Sequence, residues 1–112
     1  MAFEIILAPE AQEDFRALTA RFRSEVRDGI VEHLRHEPTR TSRSRIKRLR
    51  GIDRPQYRLR IGDVRVFYDV EDKAVLVLAI VRKAAVEAWL ESHAVSTGTG
   101  AREVARKEGA DS

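Results

Sequence analysis

The chain has 112 residues, 43% of them apolar and 35% charged, with 21 Lys and Arg against 18 Asp and Glu. That length fits one domain with a single modest core. It contains no cysteine, which excludes a disulfide framework, a thiolate metal site and a Cys nucleophile and suits a reducing cytoplasm.

The first segment, Phe3 to Leu7 (FEIIL), is short, β-branched and aromatic, and reads as a strand ended by Pro9. It has Glu4 within it and no basic flank, so a signal peptide or a membrane span is not expected, and the reading is a soluble intracellular protein. Pro9 also suits the first turn of a helix. Ala11, Phe15, Leu18, Phe22, Val26, Ile30 and Leu34 then recur at the spacing of one apolar helix face. Unbroken from Pro9 to His36, such a helix would measure about 42 Å, longer than a domain of this size is wide. A break near Thr19–Ala20 is therefore expected, giving a helical hairpin that Pro38 closes.

Thr39 to Ser44 reads as a loop, and Ile46 to Gly51 as a strand or a turn. Gln56 to Ile61 (QYRLRI) and Val64 to Val70 (VRVFYDV) both alternate with period two around Gly62–Asp63, a two-residue hairpin turn of type II′. After a second turn at Glu71–Asp72–Lys73, Ala74 to Val81 is apolar throughout and predicts a central strand covered on both faces. A helix over Ala84 to Ser92 carries Trp89. Beyond His93, residues 94–112 are expected to be a tail that is disordered or orders only on a partner, leaving residues 1–93 as the domain. The expected fold is α+β: an N-terminal strand and helical hairpin on a small antiparallel sheet of three to four strands, with a short C-terminal helix.

Positive charge is focused within this frame. Ten of the 21 Lys and Arg lie between Arg40 and Arg65, opposed there by Asp53 and Asp63. That gives +8 locally against +3 for the whole chain, leaving −5 elsewhere. A focused basic patch is the footprint of a polyanion, with RNA the favoured one, although a charge run also serves as a solvated face. The two-residue turn fixes the register: Ile61 opposite Val64, Leu59 opposite Val66 and Tyr57 opposite Tyr68 form an apolar face. The other face receives Arg58, Arg60, Arg65 and Phe67, with Arg60 across from Arg65. Like charges paired across strands destabilise by roughly a few tenths to 1 kcal/mol, which is understandable if an anion lies between them. Arginine suits that anion because its planar fork binds phosphate bidentately and stays charged. Phe67 either stacks on an unpaired base or is covered by the C-terminal helix.

Leu49-Arg50-Gly51, Tyr57-Arg58-Leu59-Arg60, Asp63-Val64-Arg65-Val66-Phe67-Tyr68 and Ile80-Val81-Arg82-Lys83, with the preceding helical hairpin and opening strand, resemble the RelE/ParE family of bacterial type II toxins. The resemblance covers about residues 2 to 92. It implies one of two activities: ribosome-dependent mRNA cleavage that inhibits translation, as in RelE-like members, or inhibition of DNA gyrase without nuclease chemistry, as in ParE-like members. A third possibility is a catalytically impaired homologue kept for antitoxin binding. It also implies a cognate antitoxin, and ribosome and mRNA, or gyrase, as further partners.

Carried onto this chain, the resemblance assigns catalytic roles to Arg58, Arg60, Arg65 and the basic residue after the third hairpin strand, Arg82 or Lys83. Nucleic-acid binding falls to Arg43, Arg45, Lys47, Arg48, Arg50, Phe67 and Trp89, the last in the place of the family's C-terminal tyrosine. The implied reaction is attack of a ribose 2′-hydroxyl on its own phosphate, which needs a base, phosphorane stabilisation and an acid. Here the chain departs from the pattern: arginine is a poor base and tryptophan cannot usefully take or release a proton. Lys83, Tyr57, Tyr68 and His93 remain for proton transfer, with both tyrosines expected in the core. No metal or nucleotide cofactor is expected, because the three His lack ligand spacing and no glycine-rich loop precedes a helix.

Overall fold

The computed structural model describes residues 2–96. Strand β1 (Glu4–Leu7) leads into helix α1 (Pro9–Ala17), with Pro9 in its first turn, and helix α2 (Ala20–Leu34) follows. The break falls where helix length required it. Leu18 is extended, and the Thr19 side chain accepts the Phe22 N–H at 3.3 Å to cap α2. Strands β2 (Ile46–Arg48), β3 (Tyr57–Ile61), β4 (Val64–Glu71) and β5 (Ala74–Arg82) come next. A short 3₁₀ turn over Lys83–Ala85 then opens helix α3 (Val86–His93). No helix among the described residues is long and apolar enough to cross a membrane.

The five strands form one sheet in the order β1-β5-β4-β3-β2. This corrects the expectation of three to four antiparallel strands: β1 joins the sheet, and it runs parallel to β5, with Glu4 opposite Ala74 and Leu7 opposite Val77. A parallel pair needs a long crossover, which the two helices and the hairpin strands supply. The β3–β4 register is the one dictated by the turn, Tyr57↔Tyr68 through Ile61↔Val64. Gly62 has φ of +56°, and Asp63 is not left-handed, as a type II′ turn demands. A bulge opposite Phe67–Tyr68 shifts the β4–β5 register, so that Phe67 faces Ala79 and Tyr68 faces Val77.

Helices α1 and α2 cover one face of the sheet. Val26, Ile30 and Leu34 of α2 are buried there with Leu59, Val66, Tyr68, Val75 and Val77. The Tyr68 hydroxyl donates to the Pro38 carbonyl at 2.7 Å, and burial raises its pKa. On α1, the Asp14 carboxylate accepts the Ile80 N–H at 2.9 Å. The second face is covered only in part. Helix α3 lays Val86, Trp89 and Leu90 over Phe67, Ala79 and Val81, while Leu76 and Leu78 stay half-buried. The expectation that Ala74–Val81 is covered on both faces therefore holds only near its C-terminal end, because α3 is too short to reach further.

Contacts also continue just past His93. Val95 bridges Arg54, its N–H donating to the Arg54 carbonyl at 2.8 Å, and the Ser96 hydroxyl donates to the Gly51 carbonyl. The remainder of the expected tail lies outside the described residues.

Gly29 lets α2 approach β3. A Cβ there would sit 2.6 Å from Ile61 Cδ1 and 2.9 Å from Cγ1, and Ile61 is itself nearly buried. Gly29→Val should therefore destabilise the fold by about 1–3 kcal/mol, the range for overpacking a core. Chemical denaturation should show a lowered midpoint with little change in slope.

Candidate functional site: a cationic pocket beside the C-terminal helix

Side-chain alternation sends two sets of residues to opposite faces. From β3 and β4, the face away from α1 and α2 receives Arg58, Arg60, Arg65 and Phe67. The β2–β3 register adds Lys47, which lies directly opposite Arg58. Two like-charge pairs thus sit side by side on one surface, Lys47 with Arg58 and Arg60 with Arg65. Together with Arg43, Ser44 and Lys83 they line a pocket of about 250 Å³. Among the described residues, no carboxylate lines it.

Two of the cations are held by backbone carbonyls. Arg65, only 8% exposed, donates from Nη1 to the carbonyls of Gly62 at 2.9 Å and Val64 at 3.2 Å. Arg58 donates from Nη2 to the Ser44 carbonyl at 3.2 Å, and its Nε is buried with no hydrogen-bond partner. Burial first, then the charges of Arg65 and Arg60, pull the Arg58 guanidinium below its ordinary pKa. A buried donor left unpaired typically costs about 1–3 kcal/mol, so an anion accepting from this N–H among crowded cations would be favoured.

Not every residue expected at the site is there. Arg82 lies opposite Val64, so its side chain emerges on the helix face of the sheet. Its guanidinium stands 5.1 Å from the Phe22 ring and binds Asp63 through Nε at 3.0 Å and Nη2 at 2.9 Å. Of the pair Arg82 and Lys83, the pocket takes Lys83. Phe67 is fully buried and Trp89 stacks over it at 4.8 Å, so Phe67 presents no face to a base. Trp89 is covered on its other side by His93 at 4.9 Å, and its Nε1 donates to Glu10 at 2.9 Å. Both aromatics are thus packing groups tying α3 to the sheet and to α1, and neither lines the pocket.

Trp89 and His93 line a separate, largely apolar hollow with Pro9, Pro55 and Leu78. Tyr57 and Tyr68 stack at 5.5 Å on the helix side, as expected of core residues. Arg48 shares that side, 5.4 Å from the Tyr57 ring, and donates to the Gln56 carbonyl at 2.8 Å. Arg45 donates to the Arg60 carbonyl at 2.9 Å and faces a different groove, with His33 and His36, while Arg50 sits in an exposed turn. Ser44 is a pocket residue that the sequence did not single out. Only the loop's path under Arg58 brings it there.

The sequence profile described as "ParE toxin of type II toxin-antitoxin system, parDE" matches residues 5–86. The chain belongs to this family. Solved structures of RelE toxins share the toxin's fold. A mutant of the Escherichia coli toxin RelE in the free state is 26% identical with a TM-score of 0.61, covering 81% of this chain and 94% of that one. RelBE2 from Mycobacterium tuberculosis is 22% identical with a TM-score of 0.59, covering 73% and 99%. The RelB–RelE complex of Methanococcus jannaschii is 15% identical with a TM-score of 0.56, covering 75% and 96%. No protein of curated function is matched. The toxin is therefore a member of the RelE/ParE family of type II toxin–antitoxin systems with a RelE-like α+β fold.

Proposed function

We propose that the toxin seats a phosphate of ribosome-bound mRNA in the cationic pocket, cleaves the strand there and so inhibits translation in the cytoplasm. The observation that carries this reading is the buried, unpartnered Nε of Arg58 in a pocket lined, among the described residues, by six cations and no carboxylate. Such a site is matched to an oxyanion carrying more than one acceptor oxygen. In the cleavage step, the 2′-oxygen attacks the adjacent phosphorus and loses its proton, and the 5′-oxygen leaves and gains one. The products are a cyclic phosphate and a free 5′-hydroxyl. Arg58, Arg60 and Arg65 would stabilise the charge of the phosphorane. Proton transfer would fall to the two lysines of the pocket, Lys47 and Lys83, since guanidinium does not give up its proton. Arg43 would hold the neighbouring backbone.

A cognate antitoxin is the partner this reading adds, by analogy with the toxin–antitoxin complexes among the structural relatives. An acidic antitoxin segment would neutralise the pocket, and its affinity should fall as salt rises.

Two observations favour a second reading, inhibition of DNA gyrase without nuclease activity. The matching profile is that of ParE toxins, and among the described residues the pocket is lined by no His, Tyr or carboxylate to act as acid or base. Mapping mRNA 5′ ends after induced expression separates the two. New 5′-hydroxyl ends within translated messages, lost on Arg60→Ala, support cleavage. Arg60 is exposed, so its replacement should spare the fold. Growth arrest with intact messages and gyrase-dependent DNA breaks would replace this reading with the second.

A further inference from the structure

We infer that Arg82 is a positioning residue that holds the carboxylate of Asp63 away from the cationic pocket, and that it makes no contact with the bound anion. The inference rests on the reading of the pocket as a phosphate site. The hairpin turn is the junction on which two pocket cations depend: the Gly62 carbonyl accepts Arg65 Nη1 at 2.9 Å, and the Asp63 carbonyl accepts the Lys83 N–H at 2.9 Å. The same turn carries a liability, because Asp63 is close in sequence to both Arg60 and Arg65, and its side chain is half exposed. An unrestrained carboxylate there is a tethered anion competing with the ligand for the same guanidinium groups.

Arg82 answers that liability from the opposite side of the sheet. Its Nε and Nη2 both donate to Asp63 Oδ2, at 3.0 and 2.9 Å. The Phe22 ring, 5.1 Å from the guanidinium carbon, offers its face to the same group on the helix side. Lys83, the next residue, projects the other way and lines the pocket. Two adjacent basic residues therefore do different work, one facing the ligand and one facing the turn that frames it.

The test measures binding of a short fluorescent single-stranded RNA to the full chain across a range of salt. Arg82→Ala should weaken binding about fivefold, the scale of one screened charge pair, with the salt slope unchanged. Adding Asp63→Asn to Arg82→Ala should restore affinity to near that of the parent, although the ion pair is still missing. Asp63→Asn alone should bind at least as tightly as the parent. A double variant as weak as Arg82→Ala would overturn the inference, as would a salt slope lower by about 0.7, which marks a lost phosphate contact. Thermal unfolding of each variant identifies any loss that comes from a damaged turn, which Asp63→Asn could not rescue. A parent chain that binds RNA no better than its Arg60→Ala variant would overturn the phosphate reading itself, whatever Arg82 does.

Discussion

Arg58→Met should weaken RNA binding by about tenfold or more while leaving the fold as stable as before, or more so. A charge-assisted hydrogen bond to phosphate contributes about 1.5–3 kcal/mol, and each 1.4 kcal/mol is a factor of ten. The gain in stability has three sources: Arg58 lies opposite Lys47, it is crowded by Arg60 and Arg65, and it keeps a buried donor unpaired. Relief of a directly opposed like-charge pair is worth roughly 0.2–1 kcal/mol. The one bond surrendered, from Nη2 to the Ser44 carbonyl, leaves that acceptor on an exposed loop where water replaces it. Paired measurements of melting temperature and RNA affinity check the trade. A variant that unfolds earlier and binds RNA unchanged would show that Arg58 serves the fold and not the ligand.

Asp69→Ala should cost about 2–3 kcal/mol of stability, since it removes the acceptor of two hydrogen bonds from a buried position. Asp69 is 5% exposed; its Oδ1 accepts the Gln56 N–H at 2.8 Å and its Oδ2 accepts Arg54 Nε at 3.0 Å. Gln56 in turn accepts the Val70 N–H through Oε1 at 2.9 Å, and Arg54 pairs with Val95. Loss of the carboxylate should thus release the segment between β2 and β3 together with Val95 and Ser96. For a domain of this size, each kcal/mol lowers the melting temperature by roughly 4–8 °C.

Burial raises the Asp69 pKa, partly offset by the Gln56 N–H and by Arg54, so the folded chain keeps this proton to higher pH than the unfolded chain does. The stability it contributes is then greatest in the protonated form and declines as pH rises through the window just above the ordinary aspartate value. Asp69→Asn, which retains a neutral acceptor, should accordingly lose much less than Asp69→Ala at neutral pH. Amide hydrogen exchange across residues 51–56 reports the difference directly.

Most of the frame was legible because it follows from local rules. The helical hairpin is written in apolar spacing and in Thr19, a capping residue where length demanded a break. The β3–β4 register follows from Gly62, since a two-residue turn leaves no freedom. Parallel pairing of β1 was not legible, because the choice of a sheet neighbour distant in sequence leaves no mark in FEIIL itself. At the site, alternation identified the face bearing Arg58, Arg60 and Arg65. The same alternation, carried one strand further, separates Arg82 from Lys83: Arg82 is opposite Val64 and Lys83 is one step past it. Resemblance alone left the pair undivided. For Phe67 the sequence left two roles open, stacking on a base or cover by the C-terminal helix, and the structure shows the cover, supplied by Trp89.

The parallel pairing of β1 with β5 has a consequence for the order of synthesis. Glu4 meets Ala74, so the earliest of the five strands has no sheet neighbour until the last of them, β5, is made. Helix α1, tied to Ile80 through Asp14, waits for the same strand, and Lys83 follows directly behind it. A nascent chain that has reached the end of β4 carries most of the arginines but not the assembled pocket, which still lacks Lys83, because such long-range contacts form only when both ends exist. The pocket thus stays incomplete until Lys83 has left the machine we propose as its target.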